Sequence, residues 1–135
     1  MTLSAFNALN AAIDARLNAP GALVSALGGT YSYHGMAPEA KSLPYVIWSY
    51  SGGGAENITP NASLNEVVYI RAYATSAKSA AELDGYIAQA MSAALTVTGW
   101  YVFWLAREDE IFLPETDEAG VTIWSCGAYY RVRLD

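Results

Sequence analysis

Fourteen residues near the C-terminal end, 121–134, alternate strictly between two kinds of position. Thr122, Trp124, Cys126, Ala128, Tyr130, Val132 and Leu134 make one set, and Val121, Ile123, Tyr129, Arg131 and Arg133 belong to the other. A period of two is the signature of a β-strand, with successive side chains on opposite faces. A strand this long cannot stand alone in water. It needs neighbours for its backbone groups and a second layer to cover its apolar face.

The neighbours are legible. Residues 44–50 (PYVIWSY) are β-branched and aromatic and end at Ser51-Gly52-Gly53-Gly54. Residues 64–75 alternate again, with Val68, Ile70, Ala72 and Ala74 on one face and Val67, Tyr69, Arg71 and Tyr73 on the other. Residues 100–106 (WYVFWLA) are apolar on both faces. Residues 51–63, with glycines, Asn57, Pro60 and Asn61, read as a long mobile loop. The covering layer comes from two helical patterns. Leu3, Phe6, Leu9, Ile13 and Leu17 step by three and four, and Leu83, Ile87, Met91 and Leu95 step by four behind a Ser79-Ala80-Ala81-Glu82 capping box. Leu23, Val24 and Leu27 fit one further short turn, and residues 31–33 a short strand. The order α-β-β-α-β-β predicts an α+β fold in a single domain spanning residues 1–135. Its architecture is a two-layer sandwich of about four antiparallel strands with two helices on one face.

Charge is distributed very unevenly. Glu108, Asp109, Glu110, Glu115, Asp117 and Glu118 are six of the thirteen acids, and the remaining seven equal the seven Lys and Arg. One segment, read as an acidic hairpin over residues 107–120, therefore supplies the whole net charge of -6. No basic stripe exists to displace counterions, which excludes tight sequence-reading of DNA or RNA. Carboxylates in such a segment suit calcium chemically, but Asp109, Asp117 and Glu118 lack EF-hand spacing and the loop glycine. The simpler reading is a solvated hairpin tip. Residues 85–106 carry no charge and have the length of a membrane span, yet their period changes midway from helical to strand-like. A buried helix followed by a strand accounts for them. Residues 1–17 alternate polar and apolar at helical spacing and carry Asp14 and Arg16, unlike a signal peptide. The two sequons at Asn57 and Asn61 accordingly read as loop chemistry.

Residues for covalent chemistry are few. Cys126 is the only cysteine, so no internal disulfide exists, and His34 is the only histidine. An enzyme built on that pair is conceivable, but an inward-facing strand cysteine and a turn histidine explain both more simply. The 52–54 glycines lack the lysine and following helix of a phosphate cradle. No catalytic residue, metal or cofactor is expected.

The outward strand faces say more. Tyr69, Arg71 and Tyr73 on one strand and Tyr129, Arg131 and Arg133 on another place aromatics and arginines away from the helices. Only 15% of residues are charged, against a usual ~25%, and Lys41 and Lys78 are the only lysines. Interfaces favour Tyr, Trp and Arg and disfavour Lys, so this face predicts self-association.

The layout resembles the small tail-completion or tail-terminator proteins of long-tailed bacteriophages. The resemblance covers nearly the whole chain. It rests on the opening helix, on Gly35-Met36-Ala37-Pro38 leading into Leu43-Pro44-Tyr45-Val46-Ile47, and on the strand Val67-Val68-Tyr69-Ile70-Arg71-Ala72-Tyr73. The capped helix and the closing Tyr129-Tyr130-Arg131-Val132-Arg133-Leu134 complete it. It implies a virion part with no catalysis: a homo-oligomer, usually a hexameric ring, at the head-proximal end of the tail tube. Its partners would be tail-tube and neck proteins, with genome DNA passing through a channel without specific binding and no membrane involved. The acidic segment has no counterpart in the resemblance. Channel wall and docking surface for a basic partner are its two candidate roles. Another neck or tail-tube subunit, or a small apolar-ligand-binding α+β domain with a closed cavity, are the alternatives.

Overall fold

The computed structural model describes residues 5–57, 62–93, 95–116, 120 and 122–134. Along the chain run α1 (Ala5–Leu17), α2 (Ala22–Leu27), β1 (Ser32–His34), β2 (Tyr45–Asn57), β3 (Ala62–Ala74), α3 (Ala77–Ala90), β4 (Val102–Thr116) and β5 (Thr122–Leu134). The five strands form one sheet in the order β1-β2-β3-β5-β4. Each pair is antiparallel except β1 with β2, which run parallel. The α+β class is as expected. Among the described residues there are five strands and three helices, because the short turn at α2 is a true helix and β1 adds a parallel edge.

Both hairpins are longer than local composition suggests. β2 and β3 pair as far as Asn57 opposite Ala62, so residues 51–57 and 62–63 are strand and not loop; residues 58–61 lie outside the described residues. The strand partner, not local propensity, decides here, and a β-bulge between Tyr50 and Gly52 absorbs the irregularity. β4 likewise runs through the acidic stretch, with Thr116 opposite Thr122. The acids to Glu115 therefore sit on an edge strand instead of a hairpin tip, and Pro114 is tolerated because an edge strand has one unpaired side. Bulges between Val102 and Trp104 and between Glu108 and Glu110 interrupt β4's alternation.

The helices cover one face of the sheet. Leu9, Ile13 and Leu17 of α1, Leu23 and Leu27 of α2, and Ala80, Leu83 and Ile87 of α3 pack on Val46, Trp48, Val68, Ile70, Ala128, Tyr130 and Val132 in one core. Ser76 caps α3, accepting a bond from the Ser79 backbone N–H at 3.2 Å, so the cap sits three residues before the expected Ser79. The helix ends at Ala90, short of Leu95, and Arg16 of α1 donates to the carbonyls of Ala90 and Ala93 at 2.8 and 2.9 Å. A cation there complements the negative end of the helix. Gly28 (φ 83°) ends α2 in the left-handed conformation. Gly127 serves a different need: a Cβ on it would lie 2.3 Å from the Ile70 carbonyl oxygen of the neighbouring strand.

Candidate functional site

The opposite face of the sheet carries the aromatic and cationic set. Tyr69 of β3 and Tyr129 of β5 are direct cross-strand partners, and their rings stack at 4.6 Å. The Arg71 guanidinium lies 4.7 Å from the Tyr69 ring and 5.2 Å from the Tyr73 ring. Tyr73 in turn meets Tyr45 of β2 at 5.5 Å. Arg71 has Gly127 as its cross-strand partner, and the missing side chain there leaves room for the arginine stem. Arg131 donates from Nε to Glu108 at 2.9 Å and from Nη1 to Asn65 at 3.2 Å. Arg133 lies over the Trp104 ring at 5.5 Å. The six expected interface residues thus share one continuous face: Tyr69, Arg71, Tyr129, Arg131 and Arg133 are half-buried, and Tyr73 is nearly covered. Trp104, 43% exposed, joins them; the strand 100–106, apolar on both sides, gave no hint of which face it would take.

The acidic stretch divides between the two faces. Glu108 belongs to the open face through Arg131. Glu110 belongs to the helix face, where its carboxylate accepts from Arg107 Nε at 3.1 Å. Asp109 stands between them at the bulge, exposed. Glu115 registers opposite Ile123 near the end of the arm, and Asp117 and Glu118 lie outside the described residues. Among the described side chains of the stretch, Glu108 and Glu110 are therefore tied to arginines of the same chain. Further along the arm, Phe112 and Leu113 are each 46% exposed, and the Phe112 ring meets Trp124 at 5.5 Å. Apolar side chains on both sides of an edge strand leave surface that water covers poorly.

A buried polar cluster fixes this arm to the helix layer. Arg107 of β4 grips Asp84 of α3 with two bonds, Nη1 to Oδ1 at 3.1 Å and Nη2 to Oδ2 at 2.6 Å, and also donates to the Tyr130 hydroxyl at 2.6 Å. Burial alone would lower the arginine's pKa; the Asp84 bond and the charges of Tyr130 and Asp84 more than offset it and hold the guanidinium above its ordinary range. Burial pushes the Tyr130 hydroxyl up to about 12 despite Arg107 beside it. Cys126, beneath Asp84, is pushed up to about 12 by burial first and by Asp84 second, which keeps it a thiol at neutral pH. Nothing in the sequence pattern marks this cluster except Asp84 on the otherwise apolar side of α3 and a lone arginine opening the acidic run.

Cys126 and His34 are not brought together. His34 on β1 is exposed and stacks on Trp48 at 4.0 Å, while Cys126 is buried on β5 with β2 and β3 between. That is about 14 Å by strand spacing alone. Among the described residues no three metal-ligating side chains gather, and no helix is long and apolar enough to cross a membrane. A groove of about 260 Å³ between α1, α2 and α3, lined by Arg16, Leu17, Pro20, Leu23, Tyr86 and Gln89, is open to solvent, unlike the closed cavity a ligand-binding domain would use.

No protein-family model matches the chain, and no curated protein matches it in sequence. The fold is shared with a solved chain from the virion of a native gene transfer agent particle. The TM-score is 0.76, the identity 18%, and the match spans 98% of each chain.

Proposed function

We propose that this chain is a structural protein of a phage-like particle, forming a ring at the head-proximal end of the tail tube. In that position the ring ends tube polymerisation and joins tail to neck while leaving a channel for DNA. The observation that carries this reading is the likeness of fold, end to end in both chains, to a component of a virion particle. The surface supports it independently: a continuous Tyr/Arg/Trp face and an arm with exposed Phe112 and Leu113 suit a subunit built to pack against others. The copy number expected is six, the partners are the tube and neck proteins, and no catalytic step is assigned. Native mass spectrometry at micromolar concentration, alone and with the cognate tube protein, followed by negative-stain imaging, tests it. Rings of about six subunits support the reading, and a strict monomer in the presence of tube protein refutes it.

A further inference from the structure

A closed ring of identical subunits needs a heterologous contact, in which two different surfaces of the chain meet. We propose that the exposed β4 arm of one copy, from Asp109 to Leu113, docks onto the Tyr69–Arg71–Tyr129 face of the next copy. The inference rests on the ring reading and assigns the two surfaces that the ring requires.

The receiving face has the composition of a binding hot spot. Tyr69 and Tyr129 are stacked and the Arg71 guanidinium lies over both the Tyr69 and Tyr73 rings, so these side chains hold one another before any partner arrives. Three of the chain's seven cationic side chains, Arg71, Arg131 and Arg133, project from this one face. The arm is its complement: Asp109 is an exposed carboxylate, Glu110 beside it is already paired with Arg107, and Phe112 and Leu113 supply apolar surface. Charge of opposite sign gives the register, and the apolar pair gives the buried area.

The same features argue against two copies joining edge to edge through β4. That strand is bulged twice, carries Pro114, and presents three successive acids from Glu108 to Glu110. An antiparallel β4–β4 pair centred on Asp109 would oppose carboxylate to carboxylate, and bulges, charges and proline are what block edge pairing in natural sheets. With Glu108 and Glu110 held by arginines of their own chain, Asp109 is the acid of this edge that its own kind repels and the arginine face attracts, so the contact runs head to tail.

Charge reversal in two separate variants tests this directly. Arg71→Glu spoils the face and leaves the arm intact, whereas Asp109→Arg spoils the arm and leaves the face intact. Each variant alone should assemble at least about tenfold more weakly than wild type. Mixed in equal amounts they should regain assembly, because an alternating ring restores attraction at every contact. Melting curves of each variant establish that both are folded. As a second measurement, Arg71→Cys and Asp109→Cys should cross-link when mixed, while neither links to itself; the buried Cys126 stays silent. Wild-type rings with both reversal variants unaffected, or self-linking of Asp109→Cys, overturn the assignment of surfaces and leave the ring reading standing. A wild-type chain that stays monomeric with tube protein present overturns both.

Discussion

Asp84→Ala removes the acceptor of both guanidinium bonds that Arg107 makes to α3. A hydrogen bond to a charged group contributes about 1.5–3 kcal/mol net, and breaking a buried pair costs more when the survivor is stranded. Here the survivor is not fully stranded. The Arg107 side chain is 22% exposed and keeps Glu110 and the Tyr130 hydroxyl. The loss should therefore be about 2–3 kcal/mol, well short of the sum of two bonds. For a domain of this size that is roughly 6–15 °C in Tm. Urea unfolding followed by tryptophan fluorescence measures it, and a double-mutant cycle with Arg107→Met isolates the pair. Hydrogen exchange adds the spatial readout: β4 amides should lose protection before those of β3, because the clamp is what holds the edge strand to the helix layer. A loss below about 0.5 kcal/mol, or strict additivity of the two substitutions, would refute the clamp.

Glu66 is 2% exposed on the helix face, with its Oε1 lacking a hydrogen-bond partner among the described residues, and burial raises its pKa. A raised folded pKa means the native state holds the proton more tightly. Its stabilising contribution is therefore complete below the ordinary carboxylate pKa of ~4.3 and is lost as pH rises through the folded value. Glu66→Gln should stabilise the protein by about 1 kcal/mol at pH 7 and flatten the decline of its stability as pH rises above the ordinary carboxylate range, and an unchanged pH slope would contradict this. Gly127→Ala should cost about 2–3 kcal/mol in urea unfolding, since the added methyl meets the Ile70 carbonyl and the Arg71 Cα, both backbone; a loss under 0.5 kcal/mol would show that the strands separate easily. Ser76→Ala should lower stability by about 1 kcal/mol while Ser79→Ala changes it far less, and the reverse order would return the cap to Ser79.

The parts of the fold legible in sequence are those where one local period persists. β5 and the lower half of β3 alternate cleanly, so their two faces, and with them the grouping of Tyr69, Arg71, Tyr129 and Arg131, could be read residue by residue. Residues 51–57 could not, because three glycines have no strand preference and only pairing with β3 makes them strand. The acidic run misled for a related reason. Charges on consecutive residues look like a solvated tip, yet they lie on an edge strand, where charge disfavours pairing with another edge, and the bulges hide the period that would have revealed it. β1 escaped full recognition because three residues in a parallel pair carry no periodicity of their own. The Asp84–Arg107–Tyr130 cluster joins residues 23 apart in each case, a distance over which no local pattern speaks.

The bulge at Glu108–Glu110 has a bearing on how this arm tolerates insertion and deletion. Asp109 is the extra residue: Glu108 lies opposite Tyr129 and Glu110 opposite Ala128, with nothing across from Asp109. Removing Asp109 would smooth the strand and leave every side chain beyond it on its present side. Removing a neighbour such as Ile111 would instead turn the distal arm over and exchange the sides on which Phe112 and Leu113 project. Length changes in this hairpin thus keep the sides at one position and invert them two residues on, so the loss of a single codon there can redraw the arm's surface while every remaining residue is unchanged.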